Sequence, residues 1–135
     1  MSSKNEKTRL KMNSNLAYNT YAQNNISIES PVKLIEMLYE GVLRFNMQAK
    51  RAMRDNDIEK RTFWTKRSIA ILSELINTLD LSAGQVAEYL NALYNHQIQS
   101  LVTAGLDNDI EKIDEVNKVM KGLLEAWRES NAVAK

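Results

Sequence analysis

The chain has no cysteine among its 135 residues, only one proline and four glycines, and a single histidine. Without thiols there can be no disulfide, no thiolate nucleophile and no thiolate metal site, and the composition fits a reducing compartment. So few helix breakers suit long helices and suit β-turns badly. No window approaches the roughly 18 consecutive apolar residues that a membrane span needs, and the N-terminus is too polar for a secretory signal. Charge of either sign is not in excess: 18 basic and 17 acidic side chains leave a net charge of +1. That balance argues against a general binder of nucleic acid or anionic membrane. What remains is ordinary for one soluble domain, with 44% hydrophobic and 26% charged residues.

Four helices are expected. Residues 1–29 are rich in Asn, Ser, Lys and Thr with sparse apolar positions, and read as a mostly disordered tail. Ser30-Pro31 is a start signal, because serine caps and proline is preorganised for the first helical turn. The first helix should run from Pro31 to about Arg54, the second from about Asn56 to Leu81, the third from Gln85 to Gly105, and the fourth from Asn108 to about Glu129. Short links between helices of similar length predict an all-α, antiparallel up-down-up-down bundle over residues 30–130, followed by a short tail at 131–135.

The hexapeptide "DNDIEK" occurs twice, at Asp55–Lys60 and Asp107–Lys112. Asn56 and Asn108 are expected to cap the helices that follow, with Glu59 and Glu111 closing capping boxes. Alternating acids also resemble the start of a calcium loop. Such a loop needs glycine at its sixth position and a bidentate glutamate at its twelfth. Lysines stand at all four of those positions (Lys60, Lys66, Lys112 and Lys118), so the repeat reads as a turn.

Chemistry-bearing groups are thin. His96 has no second His or Cys to work with, and Leu93 stands where a di-iron bundle would place the glutamate of its Glu-x-x-His motif. No Gly-rich phosphate cradle is present. The sequence therefore predicts no catalytic residue, metal site or cofactor, and a protein that is not an enzyme. Lys50, Arg51, Arg54, Lys60, Arg61, Lys66 and Arg67 gather around the first turn. Solvation or pairing with nearby acids is the ordinary account, and an acidic partner the rarer one.

Apolar surface is in surplus. At about 100° per residue, the first helix carries a core stripe of Ile35, Leu38, Val42, Phe45, Ala49 and Met53. A second stripe holds Val32, Tyr39, Leu43 and Met47. The second helix has Ile58, Ile69, Leu72, Ile76 and Leu79, with Trp64, Ile71 and Leu75 beside them. The third has Val86, Leu90, Leu93 and Leu101, flanked by Tyr94, Ile98 and Val102. The fourth has one arc from Ile113 through Val116 and Met120 to Leu123, Leu124 and Trp127. A bundle helix touches two neighbours and needs a broad stripe, but surplus on three of four helices suggests grooves for an elongated partner. The expected groove residues are Tyr39, Leu43, Met47, Trp64, Ile71, Leu75, Tyr94, Ile98 and Val102. Tyr18, Tyr21 and Ile26 of the tail are spaced to plug such a groove. Homo-oligomerisation through the same surface is the alternative.

The stretch "AYNTYAQNNISIESPVKLIEMLYEGVLRF" resembles the opening of the flagellar secretion chaperones that bind flagellin for type III export. Tyr18, Tyr21, Ser30, Pro31, Leu34, Met37, Leu38, Tyr39 and Gly41 fall on that family's positions, and the similarity continues through "ELINTLDL", "LYNHQIQSLVTAGLDND" and "LLEAWRE". The resemblance implies a four-helix bundle in the bacterial cytoplasm that holds the disordered C-terminal segment of flagellin and prevents premature polymerisation. It also implies delivery to a component of the export gate, a tail that occupies a groove beforehand, and room for a co-chaperone or regulatory protein. Departures occur at "LYNH" and "TAGLDND", where relatives often carry Leu-Tyr-Asp-Tyr and an Ala-Asn pair before the turn.

Overall fold

The structure is a computed structural model and describes residues 30–133. Within them the chain forms α1 (Pro31–Arg54), α2 (Ile58–Asn77), a 3-10 turn (Leu81–Ala83), α3 (Gln85–Asp107) and α4 (Ile110–Val133). Each helix packs against its neighbours in a ring: α1 beside α2 and α4, and α3 beside α2 and α4. This is the expected up-down-up-down bundle.

Local chemistry explains the ends. The Ser30 hydroxyl accepts the Lys33 N–H at 3.2 Å and Pro31 occupies the first turn, so α1 begins where the sequence said it would. The repeated hexapeptide is a helix-to-helix turn, but its caps differ from the expected ones. Asn56 and Asn108 both adopt φ 54°, in the left-handed region. They terminate the preceding helix, a role asparagine tolerates better than other non-glycine residues. The next residues, Asp57 and Asp109, take the cap, accepting the Lys60 and Lys112 N–H groups at 3.0 and 3.3 Å. Their own N–H groups reach back to the Ala52 and Ala104 carbonyls at 2.9 and 3.0 Å. This shift of one residue dissolves the expected capping boxes, since Lys60 and Lys112 now stand where the glutamates were placed. The two corners meet at one end of the bundle, where Asn108 Oδ1 accepts from the Arg61 guanidinium at 3.1 Å.

At the other end α2 stops at Asn77, four residues before the expected Leu81. Asp80 caps the separate turn by accepting the Ser82 N–H at 3.1 Å, and Gly84 at φ 116° supplies a backbone conformation that L side chains avoid. The last helix continues to Val133, past its expected end at about Glu129.

The core is built from Leu38, Val42 and Met53 of α1, Leu72 and Leu75 of α2, Leu101 of α3, and Ile113, Val116 and Met120 of α4, none more than 1% exposed. Two expected stripes turn out differently. Ile58 is 65% exposed, and Ile69, Ile76 and Leu79 are only partly buried, because α2 turns Ile71, Leu72 and Leu75 inward together with Thr65 and Ser68. Val86, placed on the core stripe of α3, is 74% exposed in that helix's first turn.

The rotation of α2 has a polar cause. Ser68 donates to Asn46 Oδ1 at 2.5 Å, and Asn46 Nδ2 donates to Asn117 Oδ1 at 2.8 Å. Asn46 and Ser68 are wholly buried. Buried polar groups must find partners, so this chain across α1, α2 and α4 fixes how those helices face one another.

Candidate partner-binding surface

Of the nine residues expected to line a groove, four lie inside. Tyr39, Ile71, Leu75 and Tyr94 are between 0 and 8% exposed and belong to the core. Tyr39 and Tyr94 face each other across the diagonal of the bundle and share a hydroxyl–hydroxyl hydrogen bond of 2.7 Å. Trp127 closes this end, edge-on to Tyr39 with ring centres 6.5 Å apart, its indole N–H donating to the Val32 carbonyl at 3.0 Å. Burial, first of all, pushes both phenols above their ordinary range.

The sign of the pH effect follows. A raised phenol pKa means the native state holds protons that the unfolded chain releases, so this contribution is intact below about pH 10, the unfolded value, and declines as pH rises above it. Denaturant titrations from pH 8 upward should show stability falling beyond pH 10, with a shallower fall in Tyr39→Phe/Tyr94→Phe. Equal slopes in both proteins would contradict this account.

Five of the nine have surface to offer, and they sit on three different seams. Leu43 and Met47 lie together in an open cavity of about 520 Å³ between α1 and α4, with Met47 62% exposed. Trp64 lies between α2 and α1, its ring 5.4 Å from that of Phe45. Ile98 and Val102 share a stripe of α3 with Gly105, whose nearest neighbour is the Thr65 side chain of α2, so they lie toward the α2 edge. The structure thus brings Leu43 and Met47 together but does not join them to the other two seams. Tyr18, Tyr21 and Ile26 lie outside the described residues.

One cluster went unnoticed in the sequence. Phe63, half exposed, meets Trp64 edge-on at 4.9 Å. The Arg67 guanidinium lies over Phe45, Phe63 and Trp64 at 5.0, 5.4 and 6.0 Å, and Arg44 lies over Phe45 at 5.2 Å. Aromatic and arginine side chains held this way are the residue types that dominate binding interfaces. The available signal was the Phe63-Trp64 pair with Arg67 three and four residues on. Among the described residues no three His, Cys, Asp or Glu side chains are grouped to hold a metal ion, and no helix is long and apolar enough to cross a membrane.

Together these features define a four-helix bundle protein that exposes apolar and aromatic side chains on several of its seams. The family model described as "Flagellar protein FliS" matches residues 12–134, and the chain belongs to that family. It is similar to the flagellar secretion chaperone FliS of Campylobacter jejuni, at 59% identity over 87% of this chain and 93% of the relative. The FliS chaperones of Escherichia coli and Salmonella typhimurium are 30% and 31% identical over 84% and 81% of this chain, which is 90% and 85% of theirs.

Proposed function

We propose that this chain is a cytoplasmic chaperone, without catalytic chemistry, that holds the disordered C-terminal segment of flagellin, prevents its premature polymerisation and aids its delivery to the flagellar type III export gate. The observation that carries the reading is membership of the FliS family over nearly the whole chain. Exposed and half-buried apolar side chains support it: Leu43 and Met47, Trp64 with its aromatic neighbours, and Ile98 with Val102 lie on successive seams. A segment that wraps around the bundle would cross each in turn, burying apolar surface at each crossing. Co-expression with a peptide from the C-terminus of flagellin, followed by size exclusion, tests the reading. A stoichiometric complex is expected. A self-associated protein indifferent to the peptide would favour homo-oligomerisation instead.

The tail of this chain acts as a competitive plug in that proposal. Tyr18, Tyr21 and Ile26 are apolar residues in a polar segment, and a short tether gives them a millimolar-scale effective concentration, so even weak docking is populated. A tail that must be displaced lowers the partner's apparent affinity by the fraction of open grooves. Deleting residues 1–24 is therefore expected to tighten flagellin-peptide binding several-fold in isothermal titration. Weaker binding after deletion would refute the plug and make the tyrosines part of the site.

A further inference from the structure

The cavity between α1 and α4 has an unusual wall. Its apolar floor is Leu43 and Met47, and its rim carries Lys50, Arg51 and Arg54 from α1 with Lys118 and Lys121 from α4. Against these five cations stands one carboxylate, Asp114, paired with Lys50. Arg51, Arg54, Lys118 and Lys121 are exposed and have no ion pair among the described residues. Arg51 and Arg54 lie in the last turn of α1, where the helix dipole favours cations, but like charges three and four residues apart repel along α1 and between Lys118 and Lys121. On α1 the groove extends from Leu43 to Arg54, roughly 16 Å at the helical rise.

We infer that this seam takes an acidic, amphipathic stretch of the client segment, its apolar side chains on Leu43 and Met47 and its carboxylates against Arg51, Arg54, Lys118 and Lys121. The inference rests on the chaperone reading above and adds the chemistry of what crosses this seam. The chain's own tail is a poor occupant: residues 12–28 contain no charged side chain, and residues 1–11 are basic, with Lys4, Lys7, Arg9 and Lys11 against Glu6. A nucleic acid strand fits no better. It would leave the apolar floor unused, and no aromatic ring lines the groove to stack a base. Carboxylates flanking apolar residues satisfy both parts of the wall, and rim charges of this kind act mainly on encounter rate and salt dependence.

The test uses the full chain and two fluorescent peptides, one from the C-terminus of flagellin and one synthetic, with leucine at helical spacing and glutamate between. Lys118→Glu/Lys121→Glu alters only exposed, unpaired side chains, so its melting curve should match the wild type. Both peptides are expected to bind the reversed variant about tenfold more weakly, a difference of about 1.4 kcal/mol. That gap should narrow as salt rises from about 50 to 300 mM and shortens the screening length. Flagellin-peptide binding that is unchanged by the reversal overturns the inference and leaves the chaperone reading standing. If only the synthetic peptide binds, and depends on the two lysines, the flagellin reading falls while the groove's preference for acidic segments holds. A mixed-sequence oligonucleotide that competes as well as the synthetic peptide overturns the inference in favour of any polyanion.

Discussion

Leu38→Ala should cost about 2–5 kcal/mol of folding stability, whereas Met47→Ala should cost less than about 0.5 kcal/mol and fall instead on binding. The two side chains share a helix and differ in surroundings. Leu38 is 1% exposed and packed on all sides, so truncation removes its contacts and leaves a cavity the neighbouring helices cannot close. Met47 is 62% exposed in the groove beside α4 and loses little when shortened. Leu43, half buried against the core at the same groove, should fall between them in stability and resemble Met47 in binding. Urea titrations give the stability arm. Titration with the flagellin peptide gives the binding arm, where roughly 1 kcal/mol or more should be lost at a central contact. If Leu38→Ala and Leu43→Ala destabilise equally and neither Leu43→Ala nor Met47→Ala weakens the peptide, the α1–α4 groove is no binding surface.

Asn46→Ala should be as damaging as a lost core leucine, at roughly 2–4 kcal/mol. Its amide is wholly buried and satisfies two partners at once, accepting from Ser68 and donating to Asn117. Truncation strands the wholly buried Ser68 hydroxyl, while Asn117, half buried at the open groove, can turn to water, and a buried polar group without a bond costs far more than a made bond gains. Replacing the whole chain of contacts, as Asn46→Leu/Ser68→Ala/Asn117→Leu, removes every orphan and should recover most of the loss. Denaturant midpoints of the single and triple variants decide it. A single variant within about 0.5 kcal/mol of wild type would mean the network contributes nothing.

Local sequence was enough where a single residue type has one role to play among its chain neighbours. Ser30 and Pro31 start α1 because a cap and a fixed φ act within one turn, and Arg54 ends it because Asp55 and Asn56 follow. The four helices and the ring they form follow from apolar periodicity and short links, and the family from an ordered set of motifs spread along the chain. The one-residue error at both hexapeptides is local too: asparagine suits both a cap and a left-handed terminator, and only the packed corner selects between them.

Helix rotation is different in kind. A stripe of apolar residues shows which arc of a helix avoids water but not which edge of that arc meets a neighbour, and that edge decides whether Tyr39, Tyr94, Ile71 and Leu75 are groove or core. The tyrosines went inside because each supplies the other's hydroxyl partner across the bundle, 55 residues away. Ser68 and Asn46 went inside for the same reason, joined to each other and to Asn117, 71 residues beyond Asn46. Arg51 and Arg54 came to share a groove with Lys118 and Lys121 only when α1 packed against α4. Partners separated by that much chain leave no trace in the periodicity of any one helix, since burying a polar group is favourable only after the group that satisfies it has arrived.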